Sequence, residues 1–258
     1  MTLKKNEVWQ KKSIIWDFAI SNLKIKYRSS VLGFVWSFLE PLLLLSVLYL
    51  VFTNVFESTI EHFPLYLLLG LITWNMFVNG TKLSIDSVVA RGPLLQQIRI
   101  PNEIPAISSA ITSLLMISLE MIVFGIFLIA FEFVPPYTII ILPLVVFLNF
   151  FLVLGISLPL SLLNVKFRDT QFIWSVILQA GFFLNPIFYK IEILPQEIQS
   201  ILAFSPMVHI LNISRDVALY GILPTVENVV LVIGMTFLIF GIGFIIFKKL
   251  SPKIIEEL

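Results

Sequence analysis

The sequence predicts an all-α polytopic membrane protein with six transmembrane helices, and three observations lead to that fold class. Apolar residues make up 58% of the 258 residues, charged residues make up 13%, and the mean hydropathy is +0.99. A soluble domain usually carries about 25% charged residues, so this chain could not cover a surface that faces water. Six long apolar runs and a one-sided distribution of Lys and Arg complete the argument. A soluble enzyme, a nucleic-acid-binding protein and a disulfide scaffold all fit this composition poorly.

The first predicted element is an N-terminal amphipathic helix over residues 8–28. Trp16, Ile20, Leu23 and Tyr27 follow helical spacings of four, three and four residues, and lysines occupy the polar side. This pattern is typical of a helix that lies in the headgroup layer, with Trp and Tyr at the interface. Two roles stay open: an interface helix with a partner, or an amphipathic leader that only anchors the chain.

Six runs are long and apolar enough to span a bilayer, which needs about 20 mostly apolar residues. The first run contains one charge, Glu40, the third contains one, Glu120, and the other four contain none. Pro135 and Pro136 mark a loop before the fourth helix. The predicted spans cover residues 31–56, 63–81, 104–131, 133–165, 170–189 and 228–247.

Basic residues lie almost entirely on one side of these six spans. With both termini in the cytoplasm, Lys190 and Arg215 are the only two of the 17 Lys and Arg residues that fall outside. This is a strong positive-inside bias, and it indicates a multi-pass protein of the inner or plasma membrane. Residues 198–214 form a seventh uncharged stretch, but a span through residues 198–220 would move the C-terminal lysines outside and bury Arg215. We therefore predict two short re-entrant helices there, kinked at Pro206.

The whole chain, residues 1–258, is predicted to form a single transmembrane domain. No long polar segment remains for a soluble domain, and the sequence contains no internal repeat. The predicted parts are a cytoplasmic interface helix (1–30), spans one to five (31–189), an outer re-entrant region (190–227), span six (228–247) and a cytoplasmic tail (248–258).

The cytoplasmic loop between spans two and three contains a short predicted helix. Gly92-Pro93 breaks the chain, Pro93 suits the first turn of a new helix, and the helix ends before Pro101. A helix of one to two turns is too short to be stable alone, so it must dock. A groove on a partner protein and the helix ends of this chain are both open as the docking surface. The apolar face consists of Leu94, Leu95 and Ile98, and the polar face of Gln96, Gln97 and Arg99.

The loop between spans four and five, residues 164–170, brings three charged residues together. Lys166, Arg168 and Asp169 are either a functional cytoplasmic cluster or an ordinary solvated positive-inside loop. Charge alone does not separate these alternatives.

Several kinds of chemistry are absent from the sequence. The chain has no cysteine and two histidines, which excludes thiol chemistry and a His-rich metal site. It contains no phosphate-binding G-x-x-x-x-G-K-[ST] motif, no HExxH and no G-x-S-x-G. We therefore expect no catalytic residues, metal or cofactor on this chain.

The acids and aromatic rings inside the spans have two interpretations each. Glu40 and Glu120 either face a polar conduit or form structural hydrogen bonds, since an unpaired charge in the bilayer is expensive. Aromatic rings can stack on sugar faces, or they can serve packing and the interface belt. The candidate conduit residues are Trp36, Glu40 and Tyr49 on span one and Trp174 and Phe182 on span five.

Strings along nearly the whole chain resemble one family, the ABC-2 type permeases that export polysaccharides. No single string is decisive, but their order along the chain is that of the family. Ser205-Pro206 is a departure, since family members more often have Asn-Pro there. The strings are VLGFVWSFLEPLLLL (31–45), PLLQQIRIPNEIPAISSAI (93–111), NVKFRDTQFIW (164–174), NPIFY (185–189), ILP (193–195) and SPMVHILNISRDVALYG (205–221).

The resemblance implies a homodimer attached to two ABC ATPase subunits, and these subunits bind ATP and Mg. The whole exporter then moves lipid-linked O antigen, capsule or teichoic-acid chains out of the cytoplasm. A drug or lipid exporter of the same class is the runner-up, and an integral membrane enzyme acting on lipid-linked substrates is the alternative from another class. Such an enzyme would need a His or a second acid beside the charged cluster at 166–169. The implied roles are ATPase docking for Leu94, Leu95, Ile98 and Arg99, a cytoplasmic gate for Lys166, Arg168 and Asp169, and an outer gate for Pro186, Pro206, Arg215 and Asp216.

Overall fold

The computed structural model describes residues 2–28, 30–54, 60–97 and 100–255, and these residues form helices and connecting segments without any β-strand. The predicted all-helical fold is therefore confirmed over the described residues. The helices are α1 (Thr2–Lys26), α2 (Trp36–Asn54), α3 (Phe63–Ala90), α4 (Gly92–Gln97), α5 (Ile104–Ala130), α6 (Leu142–Lys166), α7 (Thr170–Leu184), α8 (Gln196–Leu202), α9 (Pro206–Arg215) and α10 (Val226–Ile255).

Five of the described helices are long and apolar enough to cross a membrane: α2, α3, α5, α6 with its preceding turn, and α10. The fifth predicted span is shorter than expected. Helix α7 has 15 residues, which corresponds to about 22 Å at 1.5 Å per residue, less than a hydrocarbon core of about 30 Å. Asn185 ends it in an extended conformation, because a residue before proline avoids the helical region.

Helix α3 is the centre of the fold and is buried along most of its length against α5 and α6. Small residues allow the close helix approaches that are common in membrane proteins. A Cβ on Gly80 would meet Val153 Cγ1 at 2.7 Å and Ser113 Oγ at 2.8 Å. A Cβ on Gly155 would meet the backbone of Phe240 at 2.7 Å, so α6 and α10 touch almost backbone to backbone.

The first span begins later than the sequence predicts. A 3-10 turn at Gly33–Val35 precedes α2, and Gly33 has a φ of 49°, which ends the regular run before Trp36. Glu40 therefore lies one turn into α2, about 6 Å from its start. In the predicted span, which begins at residue 31, it would lie nine residues from the start.

Helix α1 packs against α5 through small and polar residues. Ala19 is fully buried, and Asn22 Nδ2 donates a hydrogen bond to Ser109 Oγ at 3.2 Å. Asn22 Oδ1 accepts a hydrogen bond from Arg91 Nη2 at 2.5 Å. The predicted apolar stripe does not pack against the other helices along its whole length, because Trp16 is 51% exposed.

The region between α7 and α10 contains two short helices of very different burial. Helix α8 has no buried residue, whereas α9 is mostly buried. The break between the two helices, residues 203–205, comes directly before Pro206. This proline lies in the first turn of α9, where its missing N–H costs nothing. A π-helical turn, Asp216–Tyr220, follows α9 and ends at Gly221, which has a φ of 69°.

Candidate functional site

A groove runs between α3 and α7 and opens beside α2. Its main cavity has a volume of about 480 Å³. A smaller cavity of about 140 Å³ shares Lys82 and Ser175 with it. The main cavity is lined by Leu44 of α2, by Trp74, Asn75, Val78 and Lys82 of α3, and by Ser175, Leu178, Gln179, Phe182 and Phe183 of α7.

Polar side chains follow this groove on both helices, and the sequence analysis did not identify them. Asn75 lies about 18 Å from the start of α3, and Gln179 lies about 14 Å from the start of α7. Both therefore lie well inside their helices and away from the helix ends. The signal was present in the spacing, because residues four and seven apart share a helix face. The groove residues with polar side chains are Asn75, Lys82 and Asp86 on α3 and Gln171, Ser175 and Gln179 on α7.

The two conduit residues predicted on α7 lie in this groove. The half-buried Trp174 donates a hydrogen bond from Nε1 to Thr81 Oγ1 at 3.0 Å, and it lines the smaller cavity. Phe182 lines the main cavity and packs edge-on against Phe183, with ring centroids 5.4 Å apart. The geometry places both rings on one wall; their role in transport stays a prediction.

The conduit residues predicted on α2 do not all share one surface. Trp36 and Glu40 are exposed and stand eight and four residues before Leu44, so they continue the helix face that reaches the groove. Tyr49 lies on a different side of α2 and stacks on Phe63, with ring centroids 6.3 Å apart.

A cluster of charged residues lies where α1 meets the membrane helices. Lys26 Nζ donates a hydrogen bond to Asn79 Oδ1 at 3.2 Å. Burial lowers the pKa of Lys26, while the nearby carboxylates of Glu40 and Glu120 act in the opposite direction. Glu120 is only 4% exposed, and its Oε2 atom has no hydrogen-bond partner among the described residues. The cluster joins α1 to α3 through the hydrogen bond to Asn79, and the carboxylates of α2 and α5 act on Lys26 by charge.

The short helix predicted in the second loop is confirmed as α4, although only part of its predicted docking face is described. Leu94 and Leu95 are half-buried. The amide of Leu95 donates to the carbonyl of Arg91 at 2.9 Å. Ile98 and Arg99 lie outside the described residues.

The charged loop between α6 and α7 is solvent-facing. Lys166, Arg168 and Asp169 are all exposed. The Asp169 carbonyl accepts a hydrogen bond from the amide of Phe172 at 3.0 Å, which starts α7. Phe167 and Phe172 are also exposed, so the loop offers apolar as well as charged groups at this face.

Two of the residues predicted for the outer gate, Pro186 and Arg215, meet through the guanidinium group of Arg215. Arg215 is 1% exposed. Its Nη1 donates to the Pro186 carbonyl at 2.6 Å and to Tyr66 Oη at 2.9 Å, and its Nη2 donates to the Ile187 carbonyl at 2.7 Å. The guanidinium also stacks on the Tyr66 ring, 3.6 Å from its centroid. Asp216 follows directly, while Pro206 lies at the far end of α9.

Comparisons with known proteins agree with this architecture. Residues 16–219 match the ABC-2 type transporter family, a segment that contains the groove and Arg215. The chain is 27% identical to the O-antigen export system permease protein RfbA of Myxococcus xanthus over 98% of both chains. It is 26% identical to the protein of the same name from Klebsiella pneumoniae over 92% of each chain. It is 23% identical to the polysialic acid transport protein KpsM of Escherichia coli over 78% of this chain and 80% of that protein. The chain belongs to the ABC-2 type transporter family.

Proposed function

We propose that the chain is the transmembrane permease subunit of an ATP-driven ABC exporter that moves lipid-linked polysaccharide from the cytoplasm across the inner or plasma membrane. The cargo is of the O-antigen, capsule or teichoic-acid type. The observation that carries the proposal is the polar groove between α3 and α7, which offers amide, hydroxyl and ammonium groups within an otherwise apolar bundle. A hydrated glycan needs such groups, because each unpaired hydroxyl costs a few kcal/mol in an apolar medium.

A second copy of the chain closes the groove. Polar residues such as Gln179 and Lys82 are exposed beside α2 and α7, and contact with lipid tails at that position would be expensive. The adjoining faces of α2 and α7 also carry exposed apolar side chains, including Val47 and Val176. A homodimer packed through these faces converts two open grooves into one water-filled path, with aromatic rings on its walls.

The homodimer is tested by cross-linking in the naturally cysteine-free chain. A single cysteine at Val47 should form an intermolecular disulfide on oxidation. A single cysteine at Ile245, similarly exposed on α10, should not, because the proposed dimer leaves that helix facing lipid. The reverse pattern would place the interface on another side of the molecule.

The proposed topology has six spans and both termini in the cytoplasm. Helix α7 together with the segment up to Tyr189 forms the fifth span, and α8 and α9 enter the outer leaflet and return. Single cysteines at Val134 and Gln196 should then react with an impermeant maleimide only from outside. Cysteines at Gln97 and Lys166 should react only from inside. Labelling of Lys166→Cys from outside would contradict this topology.

ATP hydrolysis is assigned to a separate ABC ATPase subunit that binds ATP and Mg. This chain has no phosphate-binding motif. Helix α4 and the neighbouring loop at 166–169 provide the docking and gating surface on the cytoplasmic side. Contact between Leu95 and an apolar ATPase groove is the part of this proposal that a variant can test.

The export function is tested in source cells that lack the gene and carry a plasmid copy of it. Loss of the chain should abolish surface polysaccharide and leave lipid-linked polysaccharide inside, and the plasmid should restore export. Gln179→Leu should lower surface polysaccharide several-fold without lowering the amount of complex. The matched control is Gln196→Leu, the same change at an exposed site on α8, which should export normally. Normal surface polysaccharide in cells without the chain would refute the proposed cargo and favour a drug or lipid exporter.

A further inference from the structure

A second polar cavity lies beside the buried Arg215, at the end of the molecule where α3 begins and α7 ends. Its volume is about 580 Å³, within the range of about 300–1,000 Å³ typical of ligand pockets. It belongs neither to the groove between α3 and α7 nor to the docking surface. The cavity is lined by Glu61, Tyr66, Lys190, Ile191, Glu192, Asn212, Arg215, Asp216, Tyr220 and Ile222.

One wall of this cavity is held rigidly by hydrogen bonds. Arg215 binds the carbonyls of Pro186 and Ile187 and the hydroxyl of Tyr66. The Tyr66 hydroxyl in turn donates to the carbonyl of Tyr189 at 2.8 Å. These groups already form hydrogen bonds within the protein, so they shape the cavity and are not free to bind a ligand.

Another wall presents polar side chains that can bind a ligand. The carboxylates of Glu192 and Asp216 and the amide of Asn212 line it, and they can accept and donate further hydrogen bonds. The hydroxyl of Tyr220 is buried behind this wall, so the rest of that side chain lines the cavity.

The chemistry of the lining selects one class of ligand. A metal ion is disfavoured, because the described residues contain no group of three or more His, Cys, Asp or Glu that could hold one. Anions are disfavoured, because three carboxylates face one free ammonium group, that of Lys190, once Arg215 is engaged. Neutral polyhydroxylated rings fit best: carboxylates and amides bind hydroxyl pairs, and an aromatic ring such as that of Tyr220 packs on sugar C–H groups.

We propose that this cavity is an exit site that binds a neutral sugar unit of the glycan on the outer side of the membrane. The proposal rests on the proposed export function and adds a second contact point for the same substrate, beyond the groove. It assigns Tyr220, Asn212 and Glu192 as the residues that contact the sugar.

The exit site is tested by chemical protection of single cysteines in source cells that depend on the plasmid copy for surface polysaccharide. Ile222 lines the cavity and is 55% exposed, whereas its neighbour Leu223 is 53% exposed and is not among the lining residues. An impermeant maleimide should label Ile222→Cys several-fold more slowly in glycan-producing cells than in cells blocked in glycan synthesis. Leu223→Cys should react at the same rate in both. Equal rates for Ile222→Cys, or equal protection of both positions, would overturn the site, since general shielding by emerging glycan does not distinguish neighbours.

A second variant separates sugar binding from structure. Glu192→Gln removes the charge of one exposed carboxylate in the cavity, so the protein should keep its melting temperature. In the Ile222→Cys background it should cut the protection at least by half, because the sugar hydroxyls lose a charged acceptor. The matched control Glu197→Gln, the same change at an exposed position on α8 outside the cavity, should leave protection unchanged. Unchanged protection in Glu192→Gln would remove that carboxylate from the site.

The outcome for the site can be read separately from the outcome for export. If surface polysaccharide depends on the chain but Ile222→Cys is never protected, the exit site is wrong and the export function stands. If surface polysaccharide does not depend on the chain, both proposals fail together.

Discussion

Replacing Arg215 should destabilise the protein more than its position near the outer end suggests. Arg215→Met keeps the apolar contact but leaves the carbonyls of Pro186 and Ile187 without their donor. These bonds are 2.6 and 2.7 Å long. A buried acceptor left unsatisfied costs about 1–3 kcal/mol, which gives about 2–6 kcal/mol for the pair. Removal of a buried charge offsets part of that cost. We therefore expect a loss of about 3 kcal/mol.

The assay is the thermal stability of the purified complex in detergent, followed by size-exclusion chromatography after heating. A loss of about 3 kcal/mol corresponds to a lower melting temperature by roughly 6–12 °C for a chain of this size. Arg215→Lys should also be destabilised, since an ammonium group cannot reproduce the planar fork of donors. Lys190→Met removes an exposed charge from the same cavity and is the control. If Arg215→Met melts at the parent temperature, the guanidinium does not hold the outer segment in place.

Three further changes test other contacts. Gly70→Ala should destabilise the protein by about 1–3 kcal/mol and so lower its melting temperature, because the added Cβ would collide with Arg215 Nη2. An unchanged melting temperature would contradict that contact. Leu95→Asp should reduce the amount of ATPase recovered with the chain in a pull-down by several-fold, since a charge would enter an apolar groove, and full recovery would exclude this docking site. Trp174→Phe should lower export measured as surface polysaccharide while the complex stays intact, because the hydrogen bond to Thr81 at the groove wall is lost; full export would show that this bond is dispensable.

The long helices were predictable because their signal is local. Apolar runs with at most one charge placed the helices that become α2, α3, α5 and α10, and Pro135-Pro136 marked the loop before α6. The early end of α7 could also be predicted from the sequence, because Asn185 precedes Pro186 and a residue before proline favours an extended conformation. The late start of α2 depends on the positive φ of Gly33, which a count of apolar residues does not register.

The site was only partly predictable, because its contacts join distant segments. Arg215 could be recognised as an unusual charge, but its acceptors come from the segment after α7 and from Tyr66 on α3. No local pattern pairs such residues. The groove, by contrast, had a readable signal: Gln171, Ser175 and Gln179 repeat every four residues on one face of α7. Neutral polar side chains stand out less in an apolar span than charged or aromatic ones, so the groove was not predicted.

The central claim is that this chain provides the membrane path for a lipid-linked polysaccharide, and reconstituted transport tests it most directly. The chain and its ATPase are placed in proteoliposomes with radiolabelled lipid-linked polysaccharide, and an added glycosidase reports the glycan that becomes accessible on the far side. The account predicts that the amount of accessible glycan rises when ATP is added and does not rise without the ATPase. Gln179→Leu should slow this rise although the amount of assembled complex is unchanged. Accessibility that is independent of ATP, or equal in liposomes without the chain, would contradict the account.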